Sequence, residues 1–216
     1  MKTVRILIAD DHEVVREGTR LLLERQPNWE VCGVAKTGRE AVEQAKTLRP
    51  DIVVLDVGMP ELNGLEAARQ IKSLLPTTEL LIFTGHENEE LIREVFDAGA
   101  KSYILKAGAA EHLVEAIHAL SQHKPFFTTK VAEVVFAKFM DGPGRDSAQG
   151  EERLTKRERE IIQLIAEGAS NKEVAQKLGV SLRTAETHRA NVLRKLNLGS
   201  VADLVRYAIR NNIVQA

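Results

Sequence analysis

Five polar residues stand where short apolar runs end in this 216-residue chain. Asp10 and Asp11 follow the run from Val4 to Ala9, Asp56 follows Ile52 to Leu55, Thr84 closes Leu80 to Thr84, and Lys106 follows Ser102 to Leu105. Three carboxylates held together repel one another unless a cation joins them, and an all-oxygen set suits a hard ion such as Mg2+ far better than zinc. With such an ion bound, one carboxylate can attack a phosphoryl group and become an acyl phosphate. Lys106 then supplies positive charge to the transferring oxygens, and Thr84 offers a hydroxyl that can turn toward the new group. A single aspartate at a strand end is more often a helix cap; the five together point to chemistry. His12, beside the acids, reads as a packing or capping residue and not a ligand. Cys32, inside an apolar run, reads as a small core residue.

Convergence of the five requires elements that deliver them to one edge. The four runs already named, with Glu30 to Ala35, are short, rich in β-branched residues and suited to buried strands. Helical spacing fills the intervals at about 14–25, 39–48, 65–75 and 89–98, and again at 110–121 after the last run. Five strand–helix repeats predict a five-stranded parallel sheet with helices on both faces. In such sheets ligands sit at the carboxyl ends of the strands, near the switch in strand order, which is where the five residues fall. A further amphipathic helix is expected over Pro125 to Met140. It leads into Asp141 to Glu152, a stretch with three glycines and a proline that reads as a flexible linker.

The formal net charge of -1 hides an asymmetry. Residues 153–216 carry a net +6 and residues 1–152 a net -7, so the two parts suit different partners, the second a polyanion. Apolar residues at 44% and charged residues at 28% are ordinary for a folded chain. One cysteine cannot form an internal disulfide or a cysteine-based zinc site, and no signal peptide or membrane span is apparent, so a cytoplasmic protein is expected. The boundaries read as a first domain over 1–122, a helix and linker over 123–152, and a second domain over 153–216.

From Leu154 the pattern is all helical. Thr155 to Glu158 is a capping box, and Ile161, Ile162, Leu164 and Ile165 form an apolar stripe ending near Gly168. Ser170 to Glu173 opens the next helix, which turns Val174, Ala175 and Leu178 inward and stops at Gly179. A longer helix runs from Leu182 to Leu196, and a last one from Ser200 to about Asn211. A short helix, a glycine turn and a longer helix rich in Arg, Thr and His have the form of a DNA-reading pair.

The first 120 or so residues resemble the receiver domain of bacterial two-component response regulators, with its flavodoxin-like fold. The matching residues are Ala9-Asp10-Asp11-His12, Leu55-Asp56-Val57-Gly58-Met59-Pro60 running on to Asn63-Gly64, Phe83-Thr84-Gly85, and Tyr103 three before Lys106. The resemblance implies that Asp56 accepts a phosphoryl group from a sensor histidine kinase. It implies Mg2+ bound by Asp11, Asp56 and the Gly58 carbonyl, with Asp10 acting through water. It further implies that Lys106 contacts the phosphoryl oxygens and that Thr84 and Tyr103 form a pair that moves on phosphorylation. The chain departs from the family at Ala107, where proline commonly follows the lysine.

Leu154 to Glu158, Ala169 to Ala175, Thr184 to Val192 and Lys195-Leu196 are similar to the LuxR-type DNA-binding domain. The two resemblances together identify the chain as a member of the NarL/FixJ subfamily. On the third helix, Glu186, Thr187 and Ala190 look toward base edges. There Glu186 can accept from a cytosine amino group and Thr187 can contact a thymine methyl. Arg183, His188, Arg189, Arg194 and Lys195 are expected at phosphates or groove edges, and Thr184 belongs to the same DNA-facing set. Glu186, near phosphates, needs a neighbour such as Arg183 or Arg189 to hold it.

These readings amount to a transcription regulator of double-stranded promoter DNA, switched by phosphorylation of Asp56 and acting as a homodimer linked to that event. It is not an enzyme beyond accepting and releasing its own phosphoryl group. A receiver serving only as a phosphorylation-independent dimerisation module is the alternative. A Mg2+-dependent phosphohydrolase usually needs a second aspartate two residues past the nucleophile, where this chain has Gly58. A flavodoxin-like redox protein would carry a Ser/Thr-rich phosphate loop after the first strand, and none is present.

Overall fold

The computed structural model describes residues 3–85, 89–107, 109–129, 131–134, 136 and 154–214. The chain divides into two compact units, Met1–Pro143 and Gly144–Ala216, each described by itself. The proposed linker over Asp141 to Glu152 lies outside the described residues.

In the first unit strands β1 (Val4–Ala9), β2 (Trp29–Ala35), β3 (Ile52–Leu55), β4 (Glu79–Thr84) and β5 (Ser102–Leu105) alternate with five helices. These are α1 (Glu13–Glu24), α2 (Gly38–Leu48), α3 (Gly64–Leu74), α4 (Glu89–Asp97) and α5 (Ala109–Ser121). The sheet is wholly parallel, in the order β2-β1-β3-β4-β5-β6, and the sequence reversal between β1 and β3 is the switch point.

A sixth strand corrects the five-stranded expectation. β6 (Phe126–Phe127) pairs parallel to β5, with Ser102 opposite Phe126 and Tyr103 opposite Phe127, where the sequence had suggested the start of a helix at Pro125. Helical backbone begins only at residue 129. Two residues are too few to show an alternating pattern, yet the strand uses both of its faces: Phe127 packs with the core on one side of the sheet and Phe126 with the core on the other. Phe127 also meets Phe96 edge to face at 5.1 Å between ring centres.

The same alternation explains the two cores. Leu7, Val53, Leu55, Leu80, Ile82 and Tyr103 face one way, and Ile6, Ile8, Ile52, Val54, Leu81 and Ile104 face the other. The central strands are buried on both faces, as a doubly covered parallel sheet requires, so they read as continuous apolar runs.

The second unit contains α6 (Lys156–Ala166), α7 (Asn171–Leu178), α8 (Leu182–Lys195) and α9 (Val201–Arg210) around a core of Ile161, Ile162, Leu164, Val174, Val192 and Leu204 among others. Both expected capping boxes are formed, at Thr155 with Glu158 and at Ser170 with Glu173. Gly179 ends α7 with φ +65, a left-handed conformation that glycine adopts without steric cost. Among the described residues, no helix is long and apolar enough to cross a membrane.

Candidate functional site

β1 and β3 deliver Asp10 and Asp56 to the carboxyl edge of the sheet as neighbours, and β5 delivers Lys106. The Lys106 amide donates to the Thr84 carbonyl at 2.8 Å, so the lysine leaves the sheet beside the end of β4. Its ammonium bridges the two buried acids, with Nζ 2.8 Å from Asp10 Oδ2 and 2.9 Å from Asp56 Oδ2. Asp56 Oδ1 accepts from the Val57 amide at 2.8 Å, which fixes the carboxylate rotamer. Asp11 is exposed at the rim. One ligand atom from each of Asp10, Asp11, His12 and Asp56 lies within 4.8 Å of the others.

The burial of these charges shows in their acidities. Burial pushes the Asp10 carboxyl above its ordinary value, against the lowering pull of Lys106 and of the His12 amide, and the Asp56 charge adds to the rise. Burial works against the Lys106 charge too, but the hydrogen bonds to Asp10 and Asp56 outweigh it and hold the ammonium above its ordinary value. The lysine thus offsets part of the negative charge that the carboxylates bring together. The donor set fits Mg2+: carboxylate oxygens from three aspartates, and at Gly58 a half-buried backbone carbonyl that accepts no hydrogen bond among the described residues.

Glycine is required at two positions of the wall behind Asp56. A Cβ on Gly64 would lie 1.9 Å from the Asp56 carbonyl oxygen, and one on Gly38 would lie 1.9 Å from the Leu62 carbonyl oxygen. α3 and α2 therefore press directly on the loop that follows β3, and Gly64 N donates to the Val57 carbonyl at 2.9 Å.

Thr84 and Tyr103 are fully buried, Tyr103 within the core that also holds Ile82. The Lys106–Ala107 peptide is trans, as are all described peptide bonds. His12 lies beside the acids, as its sequence reading has it, though without a capping bond from its side chain. It occupies the N-cap position of α1 but makes no side-chain cap bond, and its exposed ring sits on the acids, with Nδ1 2.8 Å from Asp11 Oδ1 and 3.3 Å from Asp10 Oδ1.

On α8, Arg183, Thr184, Glu186, Thr187, Ala190 and Arg194 are exposed while Ala185 and Val192 are buried. The exposed set holds Arg183, Glu186, Thr187, Ala190 and Arg194 on one face. Arg194 Nη2 donates to Asn191 Oδ1 at 2.8 Å, which leans it along the helix. His188 is half-buried. Arg189 turns to Asn171 on α7, with Nη1 donating to Oδ1 at 3.2 Å, and neither it nor Arg183 forms an ion pair with Glu186 among the described residues.

Lys195 is drawn inward: its Nζ donates to Glu158 Oε2 at 2.9 Å, and that oxygen also accepts from the Thr155 amide at 2.7 Å. The pair ties the end of α8 to the cap of α6, and both side chains are only 17% exposed. Arg157 was not singled out from sequence, yet its Nη2 donates to the Leu178 carbonyl at 2.7 Å and satisfies the end of α7. Arg16, equally unremarked, is buried beneath the acid pocket and donates to the Asp10 carbonyl at 2.8 Å. Only spatial neighbours reveal either role.

Comparison with known proteins matches residues 6–118 to the response regulator receiver domain and residues 152–208 to the bacterial regulatory proteins of the luxR family. Along nearly its whole length the chain is similar to the transcriptional regulatory protein LiaR of Bacillus subtilis (strain 168), at 38% identity over 98% of this chain and 99% of that one. It is similar in the same way to the oxygen regulatory protein NreC of Staphylococcus carnosus (strain TM300), at 37% identity over 98% and 99%. Among solved structures, a LuxR-family two-component response regulator from Aurantimonas sp. SI85-9A1 shares 34% identity with a TM-score of 0.60, covering 64% of this chain and 99% of that one. The response regulator RcsB in its complex with DNA shares 25% identity with a TM-score of 0.60, covering 97% and 99%.

Proposed function

Since this chain belongs to the two-component response regulators that join a receiver to a LuxR-type DNA-binding domain, the NarL/FixJ subfamily of transcription regulators, we propose that phosphorylation of Asp56 controls its reading of promoter DNA. The Lys106 bridge to Asp10 and Asp56 is the observation that carries this reading. It holds together, at one strand edge, the acceptor, an ion-binding acid and the cation that stabilises phosphoryl oxygens.

In this reading a phosphohistidine on a sensor kinase is the donor. An oxygen of the Asp56 carboxylate bonds to phosphorus as the bond from phosphorus to the histidine nitrogen breaks, leaving an acyl phosphate on Asp56. The Val57 amide keeps the carboxylate aimed during the transfer. Lys106 shifts from the two carboxylates to the phosphoryl oxygens. Asp10, Asp11, Asp56 and the Gly58 carbonyl would hold Mg2+, whose chemistry is to neutralise charge on those oxygens. Thr84 then turns its hydroxyl toward the phosphoryl group and Tyr103 follows, which remodels the face of α4 and β5.

Residues 1–122 act as the receiver, completed by β6; the rest of 123–152 serves as helix and linker, and 153–216 as the DNA reader. The protein works in the cytoplasm as a phosphorylation-linked homodimer whose two α8 helices read half-sites about one turn apart. Arg183, Thr184, Glu186, Thr187, His188, Arg189, Ala190 and Arg194 form the DNA-facing set. Lys195, paired with Glu158 at the end of α8, stands at the margin of that set.

Binding of a panel of promoter DNA with and without Mg2+ plus beryllofluoride, for wild type and Asp56→Asn, tests the proposal. Tighter binding only for wild type with the mimic is expected. Equal binding in every case would overturn phosphoryl control and leave the receiver as a dimerisation module.

A further inference from the structure

We infer that Arg16 is a positioning residue for the ion-binding acids, acting through the Asp10 carbonyl; the inference rests on the Mg2+-dependent reading above. On α1 the expected order of burial is inverted, since Val14 is 86% exposed and Arg16 only 5%. A buried guanidinium is costly unless a carboxylate compensates it. Arg16 forms no ion pair among the described residues, and its one side-chain hydrogen bond runs from Nη1 to the Asp10 carbonyl at 2.8 Å. Among the described residues, then, this buried cation is spent on one carbonyl oxygen.

That oxygen matters because of what shares its plane. The Asp10 carbonyl and the Asp11 amide belong to one rigid peptide, so fixing the first sets the direction in which Asp11 leaves the sheet. The flanking backbone is already tied down. Asp10 N donates to the Ala35 carbonyl at 3.1 Å, His12 N donates to Asp10 Oδ1 at 2.9 Å, and Arg16 N donates to the His12 carbonyl at 2.9 Å. Asp11 has no comparable anchor among the described residues: its side chain pairs there with the exposed His12 ring at 2.8 Å. Arg16 closes the gap from below, behind a ligand instead of beside it. Groups one hydrogen bond behind a metal ligand typically carry about 10- to 100-fold of metal affinity.

Sign separates positioning from charge. A cation near the site repels Mg2+, so if Arg16 acted only by its charge, removing it would tighten binding. If it positions Asp11, removal weakens binding. Calorimetric titration of the full chain with MgCl2 is expected to show at least about a ten-fold loss of affinity for Arg16→Met, which keeps the stem and has no donor. Arg16→Lys, which keeps a donor for the carbonyl, should recover most of the loss. Arg16→Leu, likewise without a donor, serves in place of the methionine variant if that chain does not fold, and is expected to show the same loss. Circular dichroism without Mg2+ reports folding separately.

Unchanged or tighter Mg2+ binding in Arg16→Met would overturn the inference, as would equal losses for Lys and Met. A wild type that takes up no Mg2+ would overturn both the inference and the reading beneath it. The expected affinity order without any response to the phosphoryl mimic would support Arg16 and sink phosphoryl control alone.

Discussion

Gly64→Ala sets two physical effects against each other. Gly64 opens α3 without a positive φ, so helix preference alone would make alanine more stable by about 0.5–1 kcal/mol. The wall behind Asp56 reverses that expectation. A Cβ here stands 1.9 Å from the Asp56 carbonyl oxygen, 2.8 Å from its carbon and 3.0 Å from Val57 Cα, where ordinary contact begins at 3.4 Å; the methyl and the oxygen must part by about 1.5 Å. Neither side gives easily: Asp56 N is bonded to the Ala9 carbonyl at 2.8 Å, and the Asn63 side chain caps α3 by accepting from Glu66 N at 2.9 Å. Overpacking of this kind costs about 1–3 kcal/mol. Displacing a reacting group by about 1 Å costs on the order of 100-fold in rate. The expected outcome is a less stable receiver whose Asp56 is acylated on the order of 100-fold more slowly by a small phosphodonor with Mg2+, followed by mass spectrometry beside a thermal melt. Gly38→Ala, which meets Leu62 and not Asp56, should lose similar stability with a smaller loss of rate. A Gly64→Ala protein that melts higher than wild type and is acylated at the wild-type rate would refute the reasoning.

Lys106→Met should bind Mg2+ more tightly in calorimetry, because no ammonium competes for Asp10 and Asp56, while acylation falls by about 100-fold or more; weaker Mg2+ binding would contradict the competition. Burial pushes the Glu79 carboxyl up, but Lys101, His123 and Lys72 outweigh it and hold the group below its ordinary value. A carboxyl lowered by folding stabilises above its unfolded value and loses that contribution as pH falls through the folded one. Urea unfolding should therefore show Glu79→Gln less stable than wild type at neutral pH, with the gap closing below the ordinary carboxylate range, and a gap constant with pH would count against the cluster. Arg183→Ala should reduce the salt slope of DNA binding by about one and leave stability alone. Lys195→Ala should do the reverse, lowering the melting temperature of the DNA-binding unit with little change in slope; interchanged results would return Lys195 to the phosphates.

What the sequence made legible was whatever repeats or clusters along the chain. Ile6 to Ala9 and Ile52 to Leu55 are buried on both faces, so their apolar runs are unbroken and end where the acids begin. Thr155 with Glu158 and Ser170 with Glu173 are local bonds three residues apart, visible as letters. β6 was hidden because two residues have no period, and Pro125 with the later valines suggested a helix. The pairing of Lys195 with Glu158 is invisible in the sequence, because a basic residue on a reading helix carries no sign of an acid 37 positions away. Among the described residues Arg189 bonds to Asn171 on another helix and not to Glu186, a choice of partner that spacing along α8 does not display. Arg16 was overlooked for the same kind of reason, since burial of a charge depends on neighbours that sequence spacing does not display.

The two-residue strand β6 also bears on where this chain can be cut. Phe126 and Phe127 cover Ser102 and Tyr103 at what would otherwise be the free margin of the sheet. A fragment ended at residue 122 would leave the β5 backbone unpaired there and open a slot on each side where a phenylalanine had been. Unpaired margins recruit strands from other chains, so such a fragment is expected to self-associate more readily than one that keeps β6. A fragment that keeps residues 123–136 carries its own guard against it.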